Sequence, residues 1–94
     1  MTTPETRVTY QPAFLRDVKR LKRKHYDMKA LKAAITALTA RQTDWLRQHK
    51  DHQLLGNLGS YRELHIESDW LLLYRIESDG QIVLVRTVSH DQLL

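Results

Sequence analysis

Residues 61–87, YRELHIESDWLLLYRIESDGQIVLVRT, read as three consecutive strands joined by two tight turns. Tyr61 to Ile66 alternates polar and apolar side chains with a period of two, the pattern of a strand with one buried face. Trp70 to Ile76 is nearly continuous in apolar residues, as a central strand is when both its faces are covered. Ser78-Asp79-Gly80 is a hairpin signal, and Gln81 to Thr87 is again rich in Val and Leu. The product is a β-meander.

Upstream the period changes. Arg7-Val8-Thr9-Tyr10 reads as a short first strand. Pro12 stands where a helix tolerates it best, at the first position, because the missing N–H would be unpaired there anyway. Phe14, Val18 and Leu21 fall on one helical face, and Arg16, Lys19, Arg20 and Arg23 on the other. Asp27 can cap a second helix whose apolar stripe is Met28, Leu31, Ile35 and Leu38. Arg41 to Lys50 reads as a polar loop that tucks Trp45 inward. The predicted fold is α+β in the order β-α-α-β-β-β, a small antiparallel sheet packed against an N-terminal helical hairpin. At 94 residues, one domain over residues 1–94 is expected.

The composition excludes several classes. There is no cysteine, so disulfides and thiolate metal sites are ruled out. Met1 to Tyr10 has no apolar run resembling a signal peptide, and no stretch is long and apolar enough to span a bilayer, so a cytoplasmic protein without membrane contact is expected. The net charge of +4 is unevenly placed. Phe14 to Lys32 carries eight basic residues against two acidic ones, whereas from Gln53 onward three basic residues face six acidic ones. A polyanion would meet the N-terminal half. A merely solvated helix face fits the same charge pattern.

Two hairpin turns return the last strand to the start of the middle one, so Ser89-His90 arrives beside Trp70. His65, Asp69, Trp70 and His90 then share one end of the sheet, although a one-residue slip would exchange their faces. Histidine is the side chain whose ordinary pKa lets it give or take a proton near neutrality. RNA cleavage without a metal needs two such groups, with a cation such as Arg86 to hold the phosphate. His25 and His49 read as surface or satisfied residues. The spacing of His52, His65, Asp69 and His90 matches no short ligand motif, so no metal and no cofactor are expected.

Lys50-Asp51-His52-Gln53-Leu54-Leu55-Gly56, Gly59 through Trp70, and Arg86-Thr87-Val88-Ser89-His90 together resemble the YafQ-like branch of RelE-type toxins. The resemblance extends to Asp17-Val18-Lys19 and Asp27-Met28. It implies a ribosome-dependent endoribonuclease, the toxin of a type II toxin–antitoxin pair, which cuts mRNA in the ribosomal A site. It further implies His52, His65, Asp69, Arg86 and His90 as catalytic groups. Within that set His90, on the C-terminal segment beside Arg86, reads as the acid, His65 or His52 as the base, and Asp69 as orienting a histidine or assisting proton removal. Trp70 also matches a position of the branch, as an RNA contact or as a core aromatic. Arg16, Lys19, Arg20 and Arg23 suit ribosomal RNA phosphates. The expected partners are a cognate antitoxin, the ribosome and mRNA, with promoter DNA reached only through the antitoxin complex. The branch tends to end in an aromatic residue that can stack on a base, whereas this chain ends Asp91-Gln92-Leu93-Leu94. Competing expectations are a ParE-like gyrase inhibitor, which would not require the histidines, and a non-enzymatic RNA- or protein-binding module.

Overall fold

The central strand organises the molecule. In the computed structural model, which describes residues 7–89, Trp70–Ile76 (β4) lies between Arg62–Glu67 (β3) and Ile82–Ser89 (β5), antiparallel to both. His52–Gln53 (β2) extends the sheet beyond β3, and Val8–Tyr10 (β1) closes the far edge beside β5. The α+β class and the helical hairpin are as expected. One strand departs from the expected antiparallel sheet: β1 runs parallel to β5, because the intervening chain brings β5 back along the direction in which β1 left.

Pro12–Arg23 (α1) and Met28–Thr39 (α2) cover one face of the sheet. Pro12 starts α1, and the Asp27 side chain caps α2 by accepting from the Lys29 amide at 2.9 Å. Phe14, Leu21, Leu31, Ala34 and Leu38 meet Leu64, Ile66, Trp70, Leu72, Tyr74, Ile82 and Leu84 in one core. Alternation along β4 sends Leu71, Leu73 and Arg75 to the opposite face.

Arg41 to Lys50 is not a loop. Thr43–Gln48 forms a short helix (α3), with Trp45 packed against the core as expected. Six residues, TDWLRQ, are too few to show the apolar repeat that marks α1 and α2 in the sequence. Helices α1, α2 and α3 end in the same motif, with His25, Arg41 and Lys50 in the left-handed region at φ 64°, 52° and 56°. The next amide in each case bonds back over a turn: Tyr26 to the Leu21 carbonyl, Gln42 to Ala37 and Asp51 to Leu46. Glycine is the usual occupant of that position, and a β-carbon there is disfavoured.

Below α3 the Asp51 carboxylate accepts from the Tyr74 hydroxyl and, at 3.0 Å, from Arg62 Nη2, while Arg62 Nε donates to the Tyr74 oxygen at 3.2 Å. Burial raises the Tyr74 pKa above its ordinary value of 10.0, and the hydrogen bond to Asp51 raises it further. Above about pH 10 an unfolded chain releases this proton and the folded one keeps it, so stability should fall as pH rises from there. Urea midpoints between pH 8 and 11 should therefore drop more steeply for the wild type than for Tyr74→Phe. Parallel curves would contradict this account.

Candidate active site

Cross-strand register builds a polar row. His52 pairs with Glu63, Glu63 with Leu73, and Leu73 with Arg86, across β2, β3, β4 and β5. Directly paired residues share a face, here the one opposite the helices. The neighbouring row runs His65, Leu71, Val88. With strands ~4.8 Å apart, the backbones of Glu63 and Arg86 lie roughly 10 Å from each other.

A bulge is what puts Arg86 in this row. Tyr74 pairs with Leu84 but Leu73 pairs with Arg86, so Val85 is one extra residue in β5. Without it, a period of two would place Arg86 on the core face with Leu84. A second irregularity, between His65 and Glu67, lies beside the other end of the site.

Glu63 stands between two imidazoles. Its Oε1 is 3.8 Å from His52 Nε2 and 3.9 Å from His65 Nε2, beyond hydrogen-bond length but within reach of an ion pair once either ring takes a proton. The end of α3 sets both histidines. His52 Nδ1–H donates to the Lys50 carbonyl at 2.6 Å, which leaves the Nε2 lone pair of the neutral ring free. The amide of His65 donates to the His49 carbonyl at 2.8 Å. His49 itself is satisfied, as expected: its Nδ1 donates to the Trp45 carbonyl at 2.8 Å and its ring stacks on Trp45. Glu63 was absent from the sequence-based set. Its two-residue spacing from His65 on a strand was the available signal, since such residues share a face.

Arg86 is held from the far side of the sheet edge. Its Nε and Nη2 donate to the two oxygens of Asp17 in α1, at 2.6 and 2.9 Å. These bonds, and the attraction of the carboxylate, raise the Arg86 pKa above the ordinary arginine value against the opposing effect of burial. The side chain remains 41% exposed, so an anion can still reach it.

Residues 6–94 match the family described as "Bacterial toxin of type II toxin-antitoxin system, YafQ". The chain belongs to the YafQ toxin family. It is 34% identical over 86 residues to the mRNA interferase toxin YafQ of Escherichia coli, covering 92% of each chain. Among solved structures it is similar to YafQ in the E. coli DinJ–YafQ toxin–antitoxin complex, with a TM-score of 0.85 and 32% identity over 97% of this chain and 99% of that one. A metal-bound toxin from Helicobacter pylori also superposes, with a TM-score of 0.82 and 32% identity over 95% of this chain and 99% of that one.

The residues that resemblance to YafQ singled out do not all meet. His65 lines a cleft of about 360 Å³ with His49, Lys50, Glu67 and Ser68. Asp69 is exposed in the β3–β4 turn and lines a neighbouring cleft of about 430 Å³, whose other wall is Lys24 to Asp27. Glu67 and Ser68 border both clefts, and among the described residues Glu63, not Asp69, stands beside the histidines. Ser89 pairs with Trp70 as expected, but His90 lies outside the described residues. Trp70 is corrected from an RNA contact to a core residue. It is 1% exposed, sits edge-on to Tyr26 and donates Nε1–H to Thr87 Oγ1 at 2.8 Å, so its ring has no surface to offer a base.

On the basic helix Arg16, Lys19 and Arg23 are exposed, while Arg20 donates Nη2–H to Asp17 at 2.9 Å. Among the described residues no three His, Asp or Glu side chains are grouped so as to hold a metal ion, and no helix is long and apolar enough to cross a membrane.

Proposed function

We propose that this chain enters the ribosomal A site and cuts the mRNA there by acid–base chemistry that needs no metal. Family membership makes it the mRNA interferase toxin of a type II toxin–antitoxin system. The finer reading rests on one observation, the alignment of His52, Glu63 and Arg86 in a single cross-strand row.

His52 Nε2 is suited to take the 2′-OH proton, because its Nδ1 proton is held by the Lys50 carbonyl. The 2′-oxygen then attacks the adjacent phosphorus, and the bond to the 5′-oxygen breaks as an acid protonates the leaving oxygen. The products are a 2′,3′-cyclic phosphate and a 5′-hydroxyl. Glu63 offsets the positive charge that His52 acquires, and His65 shares that carboxylate. Arg86 meets the phosphate as negative charge builds on it. His90 and Asp69 enter through the family resemblance, His90 as the acid and Asp69 as a group that orients a histidine or assists proton removal. The exposed Arg16, Lys19 and Arg23 dock on ribosomal RNA in the cytoplasm, and a cognate antitoxin holds the free toxin inactive. The E. coli relative is found in such a complex with DinJ.

Primer extension on a defined message in a reconstituted translation system tests this. Breaks should appear only when ribosomes are present and should weaken as salt rises. Combined alanine substitution of Arg16, Lys19 and Arg23 should lower ribosome association and flatten that salt dependence without changing the urea midpoint. Equal cleavage of naked mRNA would overturn the ribosome dependence.

A further inference from the structure

We propose that Asp17, in the first helix, is the positioning residue of the phosphate-binding Arg86, holding one edge of its guanidinium so that the other edge faces RNA. The functional half of this inference rests on the cleavage reading given above.

Asp17 is 1% exposed, and with Thr87 it is one of two polar residues buried in the described part of the molecule. Four donors converge on it, two per oxygen. Oδ2 accepts from Arg86 Nε at 2.6 Å and from the Thr87 amide at 3.1 Å, and Oδ1 accepts from Arg86 Nη2 and Arg20 Nη2, each at 2.9 Å. The place is open because β1 ends where Tyr10 pairs with Leu84, three residues before Thr87. The Asp17 carboxylate takes over the strand edge that β1 no longer covers.

A purely structural need would not select this arrangement. Capping one amide requires a single acceptor, and a buried carboxylate is a costly way to supply it. What a carboxylate adds is a two-pronged grip on arginine. An arginine has five N–H groups, and Asp17 engages one on Nε and one on Nη2 of Arg86. Among the described residues both Nη1 hydrogens and the second on Nη2 remain, and one from each nitrogen forms the outer fork that matches a phosphate. Because Val85 bulges, Arg86 enters the row of His52 and Glu63, and Asp17 then fixes its orientation there. Arg20 shares Oδ1 and is half-buried, with its Nε buried and unpaired, so a second cation stands against the same carboxylate.

A misplacement of about 1 Å can cost about 100-fold in rate, so Asp17→Asn should lower single-turnover cleavage by roughly 10- to 100-fold at equal folded fraction. Three further results are expected. The Asp17→Asn loss should vanish in an Arg86→Ala background, because the residue acts through Arg86. Arg86→Lys should be about as impaired as Arg86→Ala, because an ammonium cannot use one edge for each partner. In the unmodified protein, the Arg86 Nε–H resonance should exchange with water far more slowly than those of Arg16 and Arg23, a measurement that needs no variant to fold. Losses that multiply in the double variant, wild-type cleavage by Asp17→Asn, or free exchange at Arg86 Nε would each overturn the proposal. If the unmodified protein cuts no message, the cleavage reading falls instead, and the exchange measurement still judges the Asp17–Arg86 grip.

Discussion

Alanine at His52 is expected to slow single-turnover cleavage of ribosome-bound mRNA by about 100- to 10,000-fold, the usual contribution of a general acid or base. The fold should be untouched. His52 is exposed on the two-residue edge strand β2, and among the described residues its ring makes one hydrogen bond, to the Lys50 carbonyl. That bond is also the reason for choosing His52 over His65 as base, since it fixes which nitrogen carries the proton. His65→Ala removes the second ring beside Glu63 but leaves the Lys50–His52 bond in place. Its loss should therefore be smaller than that of His52→Ala. A larger loss at His65 would transfer the role of base to it, and wild-type rates for both variants would remove the histidine pair from the chemistry altogether. His90→Ala, assayed alongside, tests the acid that the family resemblance supplies.

Trp70→Ala carries the largest expected effect on stability, roughly 3–5 kcal/mol for a fully buried aromatic. A small domain has only about 5–15 kcal/mol in total, so a large part of its margin would go. Three losses combine: the indole leaves a cavity in the core, Tyr26 loses its edge-on neighbour at 5.1 Å, and Thr87 Oγ1 loses the donor at 2.8 Å. Thr87 Oγ1 also donates to the Leu71 carbonyl at 3.0 Å, so the damage lies where β4 and β5 join. Urea denaturation should show the midpoint collapse, with cleavage falling only in proportion to the unfolded fraction. Trp70→Phe should recover much of the packing while losing the hydrogen bond. A Trp70→Ala protein with the wild-type midpoint and no cleavage would restore Trp70 as an RNA contact.

The corrected elements share a physical origin. Helix α3 is only six residues long, TDWLRQ, too short to show a repeating apolar stripe, so the segment from Arg41 to Lys50 reads as a polar loop. Yet that end supplies the two carbonyls that hold His52 and the backbone of His65. Glu63 looked like an ordinary solvent-facing strand residue, because the partner that reveals it, His52, lies on a two-residue strand with no pattern of its own. Trp70 was ambiguous because a strand's first residue can face either side.

The sequence by itself determined the three-strand meander, the helical hairpin with its cap at Asp27, the basic outer face of α1, and which residue types could carry acid–base chemistry. Those features are local: they are written in periods of two and 3.6 and in capping residues. Only the tertiary structure decided which side of the sheet Arg86 serves and what holds it. The extra residue Val85 sits in a Val- and Leu-rich run that gives no sign of a bulge, yet it reverses the face of Arg86. Asp17 and Arg86 lie 69 residues apart, and no local pattern can announce that they meet. Their contact follows from where β1 stops and where α1 crosses the edge of β5, and that is a property of the folded chain alone.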